Sequence, residues 1–395
     1  MRILAASLWG PGHAHPMLAV AQRLAERGHD VTFMSGTQHV DDAARAGCDF
    51  VAMPMVFGST FDKLRPYEDS ELLARACIDP VEQITPDAVI ADLLTFGPAL
   101  AAEVAGVPWA SLVIHGLHAP SEDLLPFGIG RAPHRGLGRL GDRLIKRFYH
   151  RDVSRARDVV NEVRARLGLT PVHDRLDVQL SSELILVATL PCLELPRSDW
   201  PARAHVIGPC LWGAGGEDPR DPAGDGPLVL IAASTAHDAR PMLDAAVAAV
   251  TALGARAVVT TGKAEVGSEH DARFAFHPFV SHDAVMPRCA AVVCSGGHGV
   301  VARALTHGAP LVIVPGHGDQ RENAYRVQRA GAGLKATPAT LQAALAQVLR
   351  SERFHAAAAA AKAEAAGLDG PGAAAALVEV MAGRSLEPGA TVTDG

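Results

Sequence analysis

Lysine is scarce in this chain of 395 residues: it stands only at positions 63, 146, 263, 335 and 362, and arginine supplies the rest of the 36 basic residues. Positive excess is missing too, since 43 acidic residues leave a formal net charge of −7. That balance argues against a nucleic-acid groove, which needs a basic face to neutralise phosphates, and no nucleic-acid partner is expected. Cysteine is sparse and unpatterned. Cys48, Cys77, Cys192, Cys210, Cys289 and Cys294 never fall in a Cys-x-x-Cys pair. That spacing predicts small buried apolar residues in a reducing compartment, not a disulfide framework or zinc ribbon. No apolar run reaches the roughly 18 residues of a membrane helix, so no membrane partner is expected. Met1-Arg2 leads directly into a strand-like segment and not into a charged, then apolar, leader. A cytoplasmic location is the expectation.

What is present is apolar and well mixed. Hydrophobic residues make up 48% and charged residues 20%, enough buried surface to offset chain entropy over most of the length. The length exceeds one ordinary core and suits two domains of roughly 150–200 residues.

The order of elements repeats. Residues 3–8 are an apolar strand, Trp9-Gly10-Pro11-Gly12 breaks it, and residues 16–26 show helical spacing through Met17, Leu18, Ala21 and Leu24. Residues 30–35 form the next strand, which completes a βαβ unit and hence a parallel sheet. The same pattern returns at 88–92, 97–105 and 109–114. Residues 140–168 predict one long amphipathic helix with Leu140, Leu144, Phe148, Val159, Val163 and Leu167 as its apolar markers and a solvated, arginine-rich opposite face. Residues 213–227, rich in glycine, proline and aspartate, read as a linker. Strands at 228–233, 257–261, 290–294 and 310–315 follow, with helices between them and an alanine-rich helix over about 352–383. The expected architecture is α/β, with two Rossmann-like parallel-sheet domains. The expected boundaries are 1–212, a linker at 213–227, 228–370, and a C-terminal helix and tail over 371–395.

Ligands of open parallel sheets bind beyond the carboxyl ends of the strands, and four turns there carry polar groups. Gly10-Pro11-Gly12-His13-Ala14-His15-Pro16 is no Walker loop, lacking Gly-Lys-Ser/Thr, and no dinucleotide fingerprint, lacking the third glycine. A histidine ahead of a helix has its pKa lowered by the dipole and is then the neutral imidazole that a general base requires. His13 or His15 serves equally as a local cap. A His-x-His metal site lacks further ligands at suitable spacing, so no metal is expected. Asp92 ends a strand. Beside His13 its carboxylate would hold the imidazole tautomer, as the acid of a triad does, and otherwise it caps a helix. The glycines of Ser295-Gly296-Gly297-His298-Gly299 let backbone N–H groups approach a diphosphate at a helix start, or simply make a tight turn. In Gly318-Asp319-Gln320 an acid and an amide stand side by side, which suits paired sugar hydroxyls.

Together these segments resemble the two-domain GT-B glycosyltransferases of family 1, which include the UDP-glycosyltransferases and the bacterial antibiotic glycosyltransferases. The likeness covers nearly the whole chain. It is densest from Phe276-His-Pro-Phe-Val-Ser-His-Asp through the glycine turn to Asp319-Gln-Arg-Glu-Asn-Ala-Tyr-Arg-Val, and Gly12-His13-Ala14-His15-Pro16 fits the same family. The resemblance implies an inverting glycosyltransferase. Its donor, a TDP- or UDP-sugar co-substrate, would bind mainly the second domain, and a hydrophobic natural-product acceptor mainly the first. His13 matches the base and Asp92 its acidic partner. Ser234 and Thr235 match a phosphate-contacting pair, and Phe279 and Val280 the segment on the nucleotide base. Ser295, Gly296, Gly297, His298, Gly299 and Val300 match the diphosphate loop, and Asp319 and Gln320 the grip on the donor sugar. Ser295 stands where the family usually has histidine and Val300 where it often has serine or threonine, with His298 available to compensate. Acceptor candidates are Met55, Phe57, Phe61, His115, Leu117 and Phe127, although for any one of them alone a core position is the better reading. No bound cofactor is implied, and the chain is expected as a monomer or homodimer. The altered loop keeps a second reading open: a weak or inactive homologue acting as auxiliary partner of another glycosyltransferase.

Overall fold

A computed structural model describes residues 1–54, 69–173, 180, 183–213, 215, 219–233, 240–262, 271–316 and 318–383. In chain order the first half runs β1 (Arg2–Ala6), α1 (Pro11–Glu26), β2 (Asp30–Ser35), α2 (Val40–Arg45), β3 (Asp49–Ala52), α3 (Ser70–Ile84), β4 (Ala88–Asp92), α4 (Phe96–Val104), β5 (Trp109–Val113), α5 (Gly138–Arg166), β6 (Leu184–Val187) and β7 (Ala204–Val206). Among the described residues these seven strands form one parallel sheet in the order β3-β2-β1-β4-β5-β6-β7. A parallel sheet is covered on both faces, which is why its strands are continuous apolar runs. Alternate residues feed two cores. Ile3, Phe33 and Ile90 meet α1, while Leu4, Met34 and Val89 meet α3 and α4.

The second half runs β8 (Leu228–Ala232), α6 (Arg240–Ala252), β9 (Arg256–Thr260), β10 (Phe274–His277), α7 (His282–Val285), β11 (Ala291–Cys294), α8 (His298–His307), β12 (Leu311–Ile313), α9 (Asp319–Arg329), β13 (Gly333–Lys335), α10 (Leu341–Arg350), α11 (Glu352–Ala365) and α12 (Gly370–Met381). Its strands make a six-stranded parallel sheet in the order β10-β9-β8-β11-β12-β13. The molecule is thus α/β with two parallel sheets.

Three local features differ from the sequence pattern. Helix α1 opens at Pro11, five residues earlier than its apolar spacing suggested, because Gly10 is extended (φ −67°, ψ 136°) and Pro11 is preset for a first helical position. His13 therefore lies inside the first turn of α1 and not ahead of the helix. The alanine-rich C-terminal segment is two helices. Gly367-Leu368-Asp369 interrupts it, and Asp369 caps α12 by accepting from the Gly372 N–H at 3.0 Å. The two helices then part. α11 packs in the core of the second sheet, whereas Ala374, Ala375 and Val378 of α12 are buried against α1 in the core of the first. Glu379 fixes this return with Arg27, at 2.9 and 2.6 Å, and with His29 at 2.6 Å.

The third difference is α5. Val163 is buried as expected, Val160 is buried in place of the half-buried Val159, and Arg164 pairs with Glu103 of α4 at 2.6 Å, but Leu140, Leu144 and Phe148 face solvent. A helix of 29 residues is about 44 Å long. Its second half packs on α3 and α4, where Val163 joins Ala74 and Leu100, and its first half extends past them.

Candidate functional site

In the first sheet β1 has β2 on one side and β4 on the other, so the chain leaves β1 in one direction and later returns in the other. Such a reversal opens a crevice at the carboxyl ends of the two central strands. The first turn of α1, which follows β1, and the last residue of β4 flank it, and they carry His13 and Asp92. In the second sheet β8 lies between β9 and β11, and the turn after β11 is the glycine segment 295–299. The glycine segment thus follows the strand of the second sheet that corresponds to β4, which Asp92 ends in the first.

The Asp92 carboxylate is fully buried and saturated with donors. It accepts from the Leu8 N–H at 2.6 Å, the Leu94 N–H at 2.8 Å and the Thr95 hydroxyl at 2.6 Å, and His13 Nδ1 lies 3.3 Å from its Oδ1. Burial alone would raise its pKa, but His13 and these hydrogen bonds bring it below the usual carboxylate value. Asp92 is therefore ionised, and its bond to Nδ1 leaves His13 Nε2 as the imidazole's open lone pair. Burial alone would lower the His13 pKa. Asp92 offsets this, with Asp319 adding to it, and the net direction is upward. The lowering expected from the sequence is overturned, because the Asp92 and Asp319 carboxylates together outweigh burial. Asp319 opens α9 in the second half of the chain, where burial raises its pKa and His13 opposes that. The two residues feel each other across the boundary between the domains.

The glycine segment is built for different purposes position by position. Gly296 has φ +90°, and a Cβ there would lie 2.6 Å from Ile313 Cγ2, so only glycine fits. At Gly297 and Gly299 a Cβ would meet nothing within 4 Å, so the start of α8 faces open space. Ser295 and Val300 are half-buried. His298 is buried and donates from Nε2 to the Ala188 carbonyl at 3.1 Å, and burial pushes its pKa down to about 4. It does not supply the positive charge that would compensate for Ser295; it is a neutral contact between the domains. Pro16, Ile114 and Ala188 from the first half line one crevice with His298, Gly299 and Ala302 from the second.

The remaining donor-side candidates divide. Ser234 and Thr235 lie outside the described residues, as do the acceptor candidates Met55, Phe57 and Phe61. Phe279 is 54% exposed on the turn after β10, whereas the Val280 side chain is fully buried in the second core, which leaves only its backbone to a ligand. Gln320 is buried and holds its own loop by accepting from the Gly316 N–H at 2.9 Å. Asn323, which the sequence reading passed over, donates to the Gly296 carbonyl at 2.9 Å and to Asp319 at 3.3 Å, and so ties the glycine turn to the acid.

On the acceptor side, Leu117 is core. His115 is buried and stacks on Phe127 at 4.5 Å, with its pKa well below the ordinary value through burial. The segment from 115 to 130 is latched to α9. Glu322 accepts from the Gly128 and Gly130 N–H groups at 3.3 and 3.2 Å. Arg326 donates to Glu322 at 3.2 Å, to Glu194 at 2.8 Å and to the Leu193 carbonyl at 3.0 Å, and Glu194 accepts from the Leu117 N–H at 2.8 Å. Sequence held one signal for this. Asp319, Glu322, Asn323 and Arg326 recur at helical spacing and so share a face of α9.

His15, His39 and Asp42 bring candidate metal-ligand atoms within 4.8 Å of one another. Both ring nitrogens of His39 are engaged, by Asp42 at 2.8 Å and the Trp9 carbonyl at 2.9 Å, and Asp42 also pairs with Arg45. These donors serve the turn after β2.

Comparison with known proteins gives a consistent picture. Residues 246–381 match the family described as erythromycin biosynthesis protein CIII-like, C-terminal domain. The chain is 31% identical over 374 residues to 4'-demethylrebeccamycin synthase of Lentzea aerocolonigenes, which spans 84% of this chain and 87% of that protein. It is 28% identical over 379 residues to O-mycaminosyltylonolide 6-deoxyallosyltransferase of Streptomyces fradiae, with 86% of each chain covered. Among solved structures, the glycotransferase of kitacinnamycin aligns with a TM-score of 0.78 at 22% identity over 96% of this chain and 98% of that one. Glycosyltransferase VinC, in complex with dTDP, aligns with a TM-score of 0.71 at 21% identity over 97% and 99%.

Proposed function

The chain belongs to the family-1 glycosyltransferases of the GT-B fold, enzymes that move a sugar from a nucleotide donor to a natural product, and from that premise we propose an inverting transfer with His13 as general base. The acceptor hydroxyl gives its proton to His13 Nε2 as its oxygen attacks the anomeric carbon. The bond from that carbon to the diphosphate breaks on the opposite face, and the diphosphate leaves with the electron pair. Asp92 holds the imidazole through Nδ1 and stabilises the imidazolium that forms. The leaving diphosphate meets the open turn at Gly297 and Gly299, where the first N–H groups of α8 and its positive end face it. Asp319 grips the donor sugar. Two domains facing one crevice bring acceptor and donor into line.

One observation carries this reading: a buried, donor-saturated carboxylate on the imidazole of His13, at the reversal point of one sheet, with Asp319 at the start of α9 in electrostatic reach. The donor we favour is a TDP-deoxysugar, then a UDP-sugar, and the acceptor a hydrophobic polyketide or similar metabolite.

A thermal-shift panel with TDP, UDP, GDP and NAD tests the donor side. A ligand at about 100 times its Kd should stabilise the fold by about 2.7 kcal/mol. We expect a shift with TDP or UDP that Phe279→Ala abolishes, the exposed ring leaving the fold itself intact. Absence of any shift would turn the reading toward an auxiliary partner.

A further inference from the structure

The first half of α5 presents an apolar row that no other part of the described fold covers. Leu137, Leu140, Leu144 and Phe148 are 88, 59, 56 and 61% exposed. Steps of three and four residues place them on one face, turned away from Val160 and Val163 that anchor the helix. A second row runs beside them in steps of four: Arg139, Arg143, Arg147 and Arg151, all exposed and without an ion-pair partner among the described residues. The one acid in that stretch, Asp142, is buried and committed to Arg131 at 2.6 Å. In a chain of net charge −7, positive charge is thus concentrated beside four exposed large apolar side chains.

The charge pattern selects the occupant. Two copies paired about a twofold at Leu144 would set Leu140 against Phe148, but they would also lay two unneutralised arginine rows side by side as the interface dried. An anionic lipid surface meets both rows at once: the leucines and phenylalanine enter the acyl boundary while the guanidinium groups reach lipid phosphates along their apolar stems. We propose that this half of α5 docks the protein reversibly on anionic phospholipid membranes, lying in the plane of the interface. No helix of the described residues is long and apolar enough to cross a membrane, and none needs to be, since one apolar face suffices for a helix lying flat. The expectation of no membrane partner rested on spanning length alone.

Flotation of the full chain with vesicles tests this, using equal parts phosphatidylcholine and phosphatidylglycerol, or phosphatidylcholine alone. The protein should float with the anionic vesicles only and be released by high salt. Leu144→Ser with Phe148→Ser should abolish flotation at an unchanged thermal midpoint, because both side chains are already in water. Arg143→Gln with Arg147→Gln should lower partitioning roughly 30-fold, each arginine near such a surface being worth about a fivefold factor. Failure to float with anionic vesicles would overturn the proposal, and so would flotation undiminished in the double serine variant. A lipid-free doubling of mass in light scattering that the serine variant abolishes would also overturn it, and would make the face a contact between two copies.

Discussion

Arg326 of α9 and Glu194 of the segment after β6 meet across the domain boundary at 2.8 Å, both nearly inaccessible to water. Arg326 also serves Glu322, so truncating it strands two carboxylates. Arg326→Ala should destabilise the protein by about 3–5 kcal/mol, read from the urea midpoint. Glu322→Gln keeps volume and weakens the hold on the Gly128 and Gly130 N–H groups. Its expected signature is a raised acceptor KM with nucleotide-induced stabilisation unchanged. Equal losses on both sides would mean that the latch sets the whole domain pose.

His13→Ala should lower turnover by roughly 10²–10⁴ with nucleotide binding intact. The pH profile carries the sharper test. A base must be neutral, and the carboxylates hold the His13 pKa above its ordinary 6.5. The acid limb of kcat should therefore lie above pH 6.5. Asp92→Asn removes the main cause of that rise, so the limb should move to lower pH while turnover falls. An unmoved limb would assign the titration to another group.

Gly296 and Gly299 should respond in opposite ways. Gly296→Ala meets both a positive φ and Ile313, and should cost about 1–3 kcal/mol of stability, measured by denaturant melts. Gly299→Ala meets open space and should leave the melt unchanged. It should weaken nucleotide binding at least tenfold in calorimetry, because its methyl group would project where the diphosphate is proposed to lie.

Acid should loosen the domain boundary before it unfolds the cores. Burial depresses the pKa of His298 to about 4, so between there and its unfolded value of 6.5 the unfolded chain binds more protons than the folded one. Stability is thus complete above pH 6.5 and declines as the pH falls toward 4, by roughly 3 kcal/mol for this one group. His15 and His282, also lowered to about 4, act in the same direction. Thermal midpoints from pH 7.5 to 4.5 would show the decline, and His298→Gln should flatten it.

Sequence made the strands and the glycine turns legible, since buried parallel strands are uninterrupted apolar runs and Gly296 answers to a backbone angle. It mislocated the start of α1 because Pro16 reads as an opening residue when Pro11 already fills that place. It misjudged Leu140, Leu144 and Phe148 because helical periodicity reports a face, not what the face meets. His298 read as a spare cation because burial by the other domain leaves no mark on its own neighbours in sequence. The Glu194–Arg326–Glu322 latch joins residues up to 132 positions apart, and no local pattern encodes that.

The return of α12 to α1 has a practical consequence for recombining such enzymes. The polypeptide crosses between its halves twice, once between β7 and β8 and again at Gly367-Leu368-Asp369, so the boundary is not a single point. A hybrid cut only at the first crossing would graft a foreign last helix onto the Arg27, His29 and Ala14–Leu24 surface and leave Arg27 and His29 without Glu379. A hybrid that keeps residues 370–383 with its own first half carries both sides of that seam. The unit of exchange is therefore the middle of the chain, bounded on both flanks, and parental lineage should be assigned helix by helix at the C-terminus.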